Sequence, residues 1–115
     1  RIVLIDTSHP GNIGAAARAL KNMSLRDLAL VRPQNFPHAE ATARASGAGD
    51  LLLQASVHAD LEGAIGDCGL IVGATARSRM QHFDTLSPRE AAPRRASTRR
   101  LPDRVAAAPP GCEPR

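Results

Sequence analysis

Ile2-Val3-Leu4-Ile5-Asp6-Thr7-Ser8-His9-Pro10-Gly11-Asn12-Ile13-Gly14-Ala15-Ala16-Ala17-Arg18-Ala19-Leu20 passes from an apolar strand into an amphipathic helix, and the polar residues between the two decide how the chain is read. Ile2 to Ile5 is a continuous aliphatic run, the pattern of a strand covered on both faces. Pro10-Gly11 then forces a turn. Asn12 is the candidate N-cap of a helix over residues 12–23, because Ile13, Ala16, Ala17 and Leu20 recur beyond it at helical spacing. Gly14 and Arg18, four residues apart, share another face. The missing side chain of Gly14 leaves room beside Arg18, so a cation with space around it stands at the carboxyl end of a strand. Open α/β sheets bind ligands at such corners. The alternative is a solvated helix arginine.

Outward from this stretch, Leu28 to Val31 reads as a second buried strand, which completes a β-α-β unit with a right-handed crossover. Residues 38–46 read as a short alanine-rich helix ended by Gly47. Residues 51–58 are ambiguous, with a short strand expected over residues 55–58. Asp60 caps a helix through Ile65, and Leu70 to Val72 forms a further apolar strand ending at Gly73. Alternating strands and helices predict an α/β domain with a mainly parallel sheet and flanking helices. Its ligands would sit beyond the carboxyl ends of the strands, where the loops of residues 7–14 and 73–79 should face one another.

Charge divides the chain at about residue 92. Residues 1–92 carry as many acidic as basic side chains, whereas residues 93–115 hold six arginines against two acids and account for the whole formal charge of +4. That Arg-, Pro- and Ala-rich tail has no aromatic residue and no sustained apolar period, and it is expected to be disordered. Its arginines suit RNA phosphates through counterion release. The favoured reading of its abrupt onset is instead a truncated or frame-shifted end to the domain.

With Phe36 and Phe83 as the only aromatic residues, the core must be built from Leu, Ile, Val and much Ala. Such a core is thin for a domain of about 92 residues, and burial against a partner would help it. No apolar stretch approaches the roughly 18 residues of a membrane span, and the chain opens in a strand with no signal-peptide pattern, so a cytoplasmic protein is expected. Cys68 and Cys112 are expected to be free thiols, Cys68 as a small buried residue. His9, His38, His58 and His82 show no ligand spacing, and no metal is expected.

The run Thr7 to Met23, followed by Asp27-Leu28-Ala29-Leu30-Val31, resembles the first motif of the SPOUT trefoil-knot methyltransferases. Ala41 to Ala48 and Leu70 to Arg79 agree with the same family, within which the chain is most similar to the bacterial tRNA (cytidine/uridine-2′-O-)-methyltransferases. The resemblance covers about residues 1–92, up to Leu86-Ser87-Pro88-Arg89-Glu90-Ala91-Ala92. It implies an S-adenosyl-L-methionine-dependent enzyme that methylates a ribose 2′-hydroxyl in the tRNA anticodon loop and works as a homodimer. By position it implies Arg18 as the catalytic residue with Asn12 beside it, and Ala74, Thr75 and Ala76 as the backbone that holds the cofactor. Arg77 and Arg79, just beyond, would contact tRNA phosphates or remain solvated. The family's later glycine-rich cofactor loop and its Ser-Leu-Asn motif do not occur after residue 80. The expectation is therefore an incomplete SPOUT α/β-knot domain carrying the first half of a cofactor pocket. Two readings from other classes stand beside this one. Pro10-Gly11-Asn12-Ile13-Gly14 could be the anion-binding corner of a nucleotide domain, although it lacks the full Gly-x-Gly-x-x-Gly pattern. The chain could also be a non-catalytic RNA-binding fragment.

Overall fold

Leu28–Val31 (β2), every residue of it buried, is the axis about which the molecule is built. In the computed structural model, which describes residues 1–74 and 86–97, β2 pairs in parallel with Ile2–Ile5 (β1) on one side and Ser56–His58 (β3) on the other. Ile2 stands opposite Leu28, Ile5 opposite Val31, and Val31 opposite His58. The order in space is the order in sequence, β1-β2-β3. All three carboxyl ends therefore leave the sheet at one edge.

Alternation along the strands feeds two cores. Leu28 and Leu30 point to the face covered by the helix Pro10–Asn22 (α1), with Ile13, Ala17 and Leu20, and by Ala39–Ala45 (α2) and Gly49–Gln54 (α3), with Ala41, Ala45 and Leu51. Val3, Ala29 and Val31 point to the other face, against Ala64 of the helix Leu61–Ile65 (α4). Helices on both faces of a parallel sheet are the architecture that the strand and helix alternation predicts. The expected reliance on alanine is also visible, since Ala17, Ala29, Ala41, Ala45 and Ala64 are fully buried.

Local chemistry sets the helix ends. Pro10 occupies the first helical position of α1, where its missing N–H costs nothing. The helix closes with Ser24 at a positive φ of 57° and the Leu25 N–H donating to the Leu20 carbonyl at 2.9 Å, which is the Schellman pattern. Asp60 caps α4 as expected, its Oδ1 accepting the Gly63 N–H at 2.8 Å.

Several expectations are corrected. The helix predicted over residues 38–46 spans Ala39–Ala45, continues as a 3-10 turn over Ser46–Ala48, and gives way to α3, which takes Leu51 to Gln54 out of the ambiguous stretch. Leu70–Val72 is not a strand, and Ile71 is half exposed. An apolar β-branched run makes a strand only when another strand accepts its backbone groups, and among the described residues this one has no ladder partner. Cys68 is partly exposed rather than buried, because no strand follows to carry it inward. The helix Pro88–Ser97 (α5) runs across residue 92, so the first residues of the basic tail are helical, while residues 98–115 lie outside the described part.

Candidate functional site

Beyond the carboxyl ends of β1 and β2, both strands turn sharply. Asp6 and Arg32 adopt left-handed backbone conformations, with φ of 52° and 46°. Each still extends the ladder by one bond, Asp6 N–H to the Val31 carbonyl at 2.9 Å and Arg32 N–H to the His58 carbonyl at 3.0 Å. Because Ile5 is in register with Val31, the two side chains meet. Arg32 grips the Asp6 carboxylate with two bonds, Nε to Oδ1 at 2.7 Å and Nη2 to Oδ2 at 3.1 Å. That grip holds the Asp6 carboxyl below its ordinary range and raises the Arg32 guanidinium, with Asp60 and Glu62 adding to the latter.

The clamp stands at the root of the loop that enters α1. One residue on, the Thr7 carbonyl accepts the Gln34 N–H at 3.1 Å, and the Ser8 carbonyl accepts Asn35 Nδ2 at 3.2 Å. The loop of residues 7–9 is thus tied to that of residues 32–37. The N-cap that follows is His9, not Asn12: His9 Nδ1 accepts the Gly11 N–H at 3.1 Å. Asn12 lies inside the first turn, half-buried, with its N–H on the His9 carbonyl. Pro10 shifts the cap, since it is pre-shaped for the first helical position and so draws the cap back by three residues, from Asn12 to His9. An open concavity of about 420 Å³ lies here, lined by Ser8, His9, Pro10, Asn35, His38 and Glu40.

Arg18 is exposed on α1 and forms no hydrogen bond or ion pair with any described residue. Gly14, one turn earlier, does not give it room. A Cβ at Gly14 would stand 2.1 Å from the Ala41 carbonyl oxygen and 2.9 Å from the Ala45 nitrogen, so the absent side chain is filled by the backbone of α2. Six residues separate Asn12 from Arg18, about 9 Å along the helix and about 120° around it, so the two side chains occupy different faces. Of the second predicted loop, Gly73 and Ala74 are exposed and irregular, no other described residue lies within 4 Å of a Cβ built at Gly73, and neither residue lines the concavity. Thr75, Ala76, Arg77 and Arg79 lie outside the described residues. Among the described residues no cluster of His, Cys, Asp and Glu could hold a metal ion, and no helix is long and apolar enough to cross a membrane.

Sequence reasoning missed the Asp6–Arg32 clamp and the His9 cap. Asp6 and Arg32 each directly follow an apolar strand, which was a usable sign of their pairing once the strands are placed in register.

Residues 1–93 match the SpoU rRNA Methylase family. Over 92 residues the chain is 54% identical to the tRNA (cytidine/uridine/adenosine-2′-O-)-methyltransferase TrmJ of Pseudomonas aeruginosa (strain UCBPP-PA14), covering 80% of this chain and 36% of that protein. Over 90 residues it is 50% identical to the tRNA (cytidine/uridine-2′-O-)-methyltransferase TrmJ of Sodalis glossinidius (strain morsitans), covering 78% of this chain and 35% of that one. Among solved structures it is similar to a probable methylase family protein from Haemophilus influenzae Rd KW20, with a TM-score of 0.80 and 38% identity over 94% of this chain and 44% of the other. TrmJ from Z. mobilis ZM4 superposes with a TM-score of 0.80 at 33% identity, over 93% of this chain and 47% of the other. The chain spans about a third of the length of the curated relatives it matches.

Proposed function

Because the chain belongs to the SpoU rRNA methylase family, we propose that it serves the methylation of a ribose 2′-hydroxyl, of cytidine or uridine in the tRNA anticodon loop, with S-adenosyl-L-methionine as methyl donor. The observation that carries this reading is Arg18: an exposed guanidinium with no partner among the described residues, on the helix that follows β1, inside the segment shared with tRNA 2′-O-methyltransferases.

Bound cofactor supplies an electrophilic methyl group. Ala74, Thr75 and Ala76 are the residues proposed to hold it, and the exposed, small-residue backbone at Gly73 and Ala74 fits a ligand that approaches the main chain. Arg18 acts on the nucleophile's side. Serving as the base would require a neutral guanidinium, and arginine keeps its proton in proteins. The cheaper role is electrostatic: the charged fork stabilises the oxygen as its proton departs and holds the adjoining phosphate. Asn12 is proposed to shape the entry to the site from the first turn of α1, on a different face from Arg18, and Arg77 and Arg79 to contact tRNA phosphates. We propose further that two copies pair, with Arg18 of one serving the cofactor of the other, and that the protein works in the cytoplasm, where tRNA is.

The test is transfer of labelled methyl from S-adenosyl-L-methionine to unmodified tRNA by the 115-residue chain, with calorimetry of cofactor binding. Label at a ribose 2′-oxygen is expected, with turnover falling about 10²–10³-fold in Arg18→Ala and recovering in part in Arg18→Lys, which keeps the charge but loses the fork. A chain that neither binds the cofactor nor transfers the methyl group, or an alanine variant with undiminished turnover, overturns the reading.

A further inference from the structure

Two helices begin side by side at the mouth of the sheet, and each begins on a histidine. His9 Nδ1 accepts the Gly11 N–H at 3.1 Å, and His38 Nδ1 accepts the Glu40 N–H at 3.1 Å. Ser, Thr, Asp and Asn ordinarily fill this position, and none of them changes charge between pH 5 and 8 as imidazole does.

A neutral ring whose Nδ1 accepts must carry its proton on Nε2. In His9 that atom lies 3.7 Å from Oε1 of Glu40, close enough for attraction and too far for a hydrogen bond. Gly11 makes room for the ring, since a Cβ there would stand 3.0 Å from His9 Nδ1 and 3.4 Å from Glu40 Oε1. The other groups on this concavity are His38, Ser8 and Asn35. At the root of the loop, Asp6 and Arg32 neutralise one another.

We propose that His9 is a proton-responsive positioning residue for α1: neutral, it caps the helix; protonated, it exchanges the cap for an ion pair with Glu40. The proton passes from solvent to the Nδ1 lone pair, the Gly11 N–H is left to water, and the carboxylate of Glu40 becomes the counter-ion of the imidazolium. The positive end of the helix dipole opposes a cation at the cap, so it is the carboxylate of Glu40 that favours the exchange. In acid the Pro10-Gly11-Asn12 turn loosens, and with it the start of the helix that carries Arg18. The exchange itself rests on the fold; only its effect on catalysis rests on the methyltransferase reading.

Nitrogen NMR of the full chain with labelled histidines, titrated from pH 8 to pH 5, tests this. At pH 8 the expected tautomer of His9 is Nε2–H, and the Gly11 amide is expected to shift with the same midpoint as the His9 ring. His9→Asn, whose Oδ1 stands where Nδ1 was, should keep the Gly11 bond and abolish the pH response. His9→Ala should lower Tm at pH 8 by about 4–8 °C, the loss expected of one cap in a domain of this size. Glu40→Gln should move the His9 midpoint to lower pH, because a counter-ion has gone. An Nδ1–H tautomer at pH 8, or a Gly11 amide indifferent to His9, overturns the proposal; both are read on the unmutated chain, and neither involves methyl transfer.

Discussion

Arg18, on α1, and Arg32, at the end of β2, have opposite surroundings. Arg18 has no partner among the described residues, whereas Arg32 is committed to Asp6 through two bonds. The difference separates a group available to a ligand from one that holds the chain's turns together. Asp6→Asn is accordingly expected to lower stability at neutral pH. The Asp6 carboxyl is held below its ordinary value, so the stability it adds is present above the unfolded carboxylate range and is lost as pH falls through the folded value. Denaturant midpoints of the variant and the parent should therefore differ at pH 7 and converge in strong acid. Both groups are solvent-accessible, which keeps the effect modest. Arg18 was legible in the sequence because helical spacing alone exposes it. The clamp was not, because it depends on a strand register that no local pattern specifies.

At the scale of the element, the contact between α1 and α2 is the tightest constraint. Gly14 was read as space for Arg18, yet the Ala41 carbonyl and the Ala45 amide already fill that space. Helical periodicity tells which residues share a face and does not tell what lies against it. Gly14→Ala would gain helix propensity worth up to about 1 kcal/mol and would force apart two backbones that cannot yield as a side-chain tip does. The net expectation is a loss of about 3 kcal/mol or more, read as a fall in Tm by circular dichroism. Helix starts were legible where a short polar side chain caps them, as at Asp60. At α1 an imidazole does the capping, and Asn12, a residue of the favoured type three positions later, drew the reading away from it.

For the whole molecule, the alternation of elements was enough to predict a parallel sheet between helices, because each strand–helix pair can bury its apolar faces only that way. The failure at Leu70–Val72 is of the same origin: whether an apolar run becomes a strand is decided by a partner elsewhere. Among the described residues, β2 is buried throughout and paired on both sides, while β1 and β3 are the outer strands and β3 has only three residues. Amide exchange is expected to be slowest in β2 and fastest in β3, and hydrogen–deuterium exchange by NMR checks the order. The order β1-β2-β3 also bears on how the protein is made. Each strand pairs with the one synthesised just before it, so a chain emerging from the ribosome meets its docking edge already in place. Among the described residues, assembly can then proceed outward from β1 in the direction of translation, each strand docking on one already made.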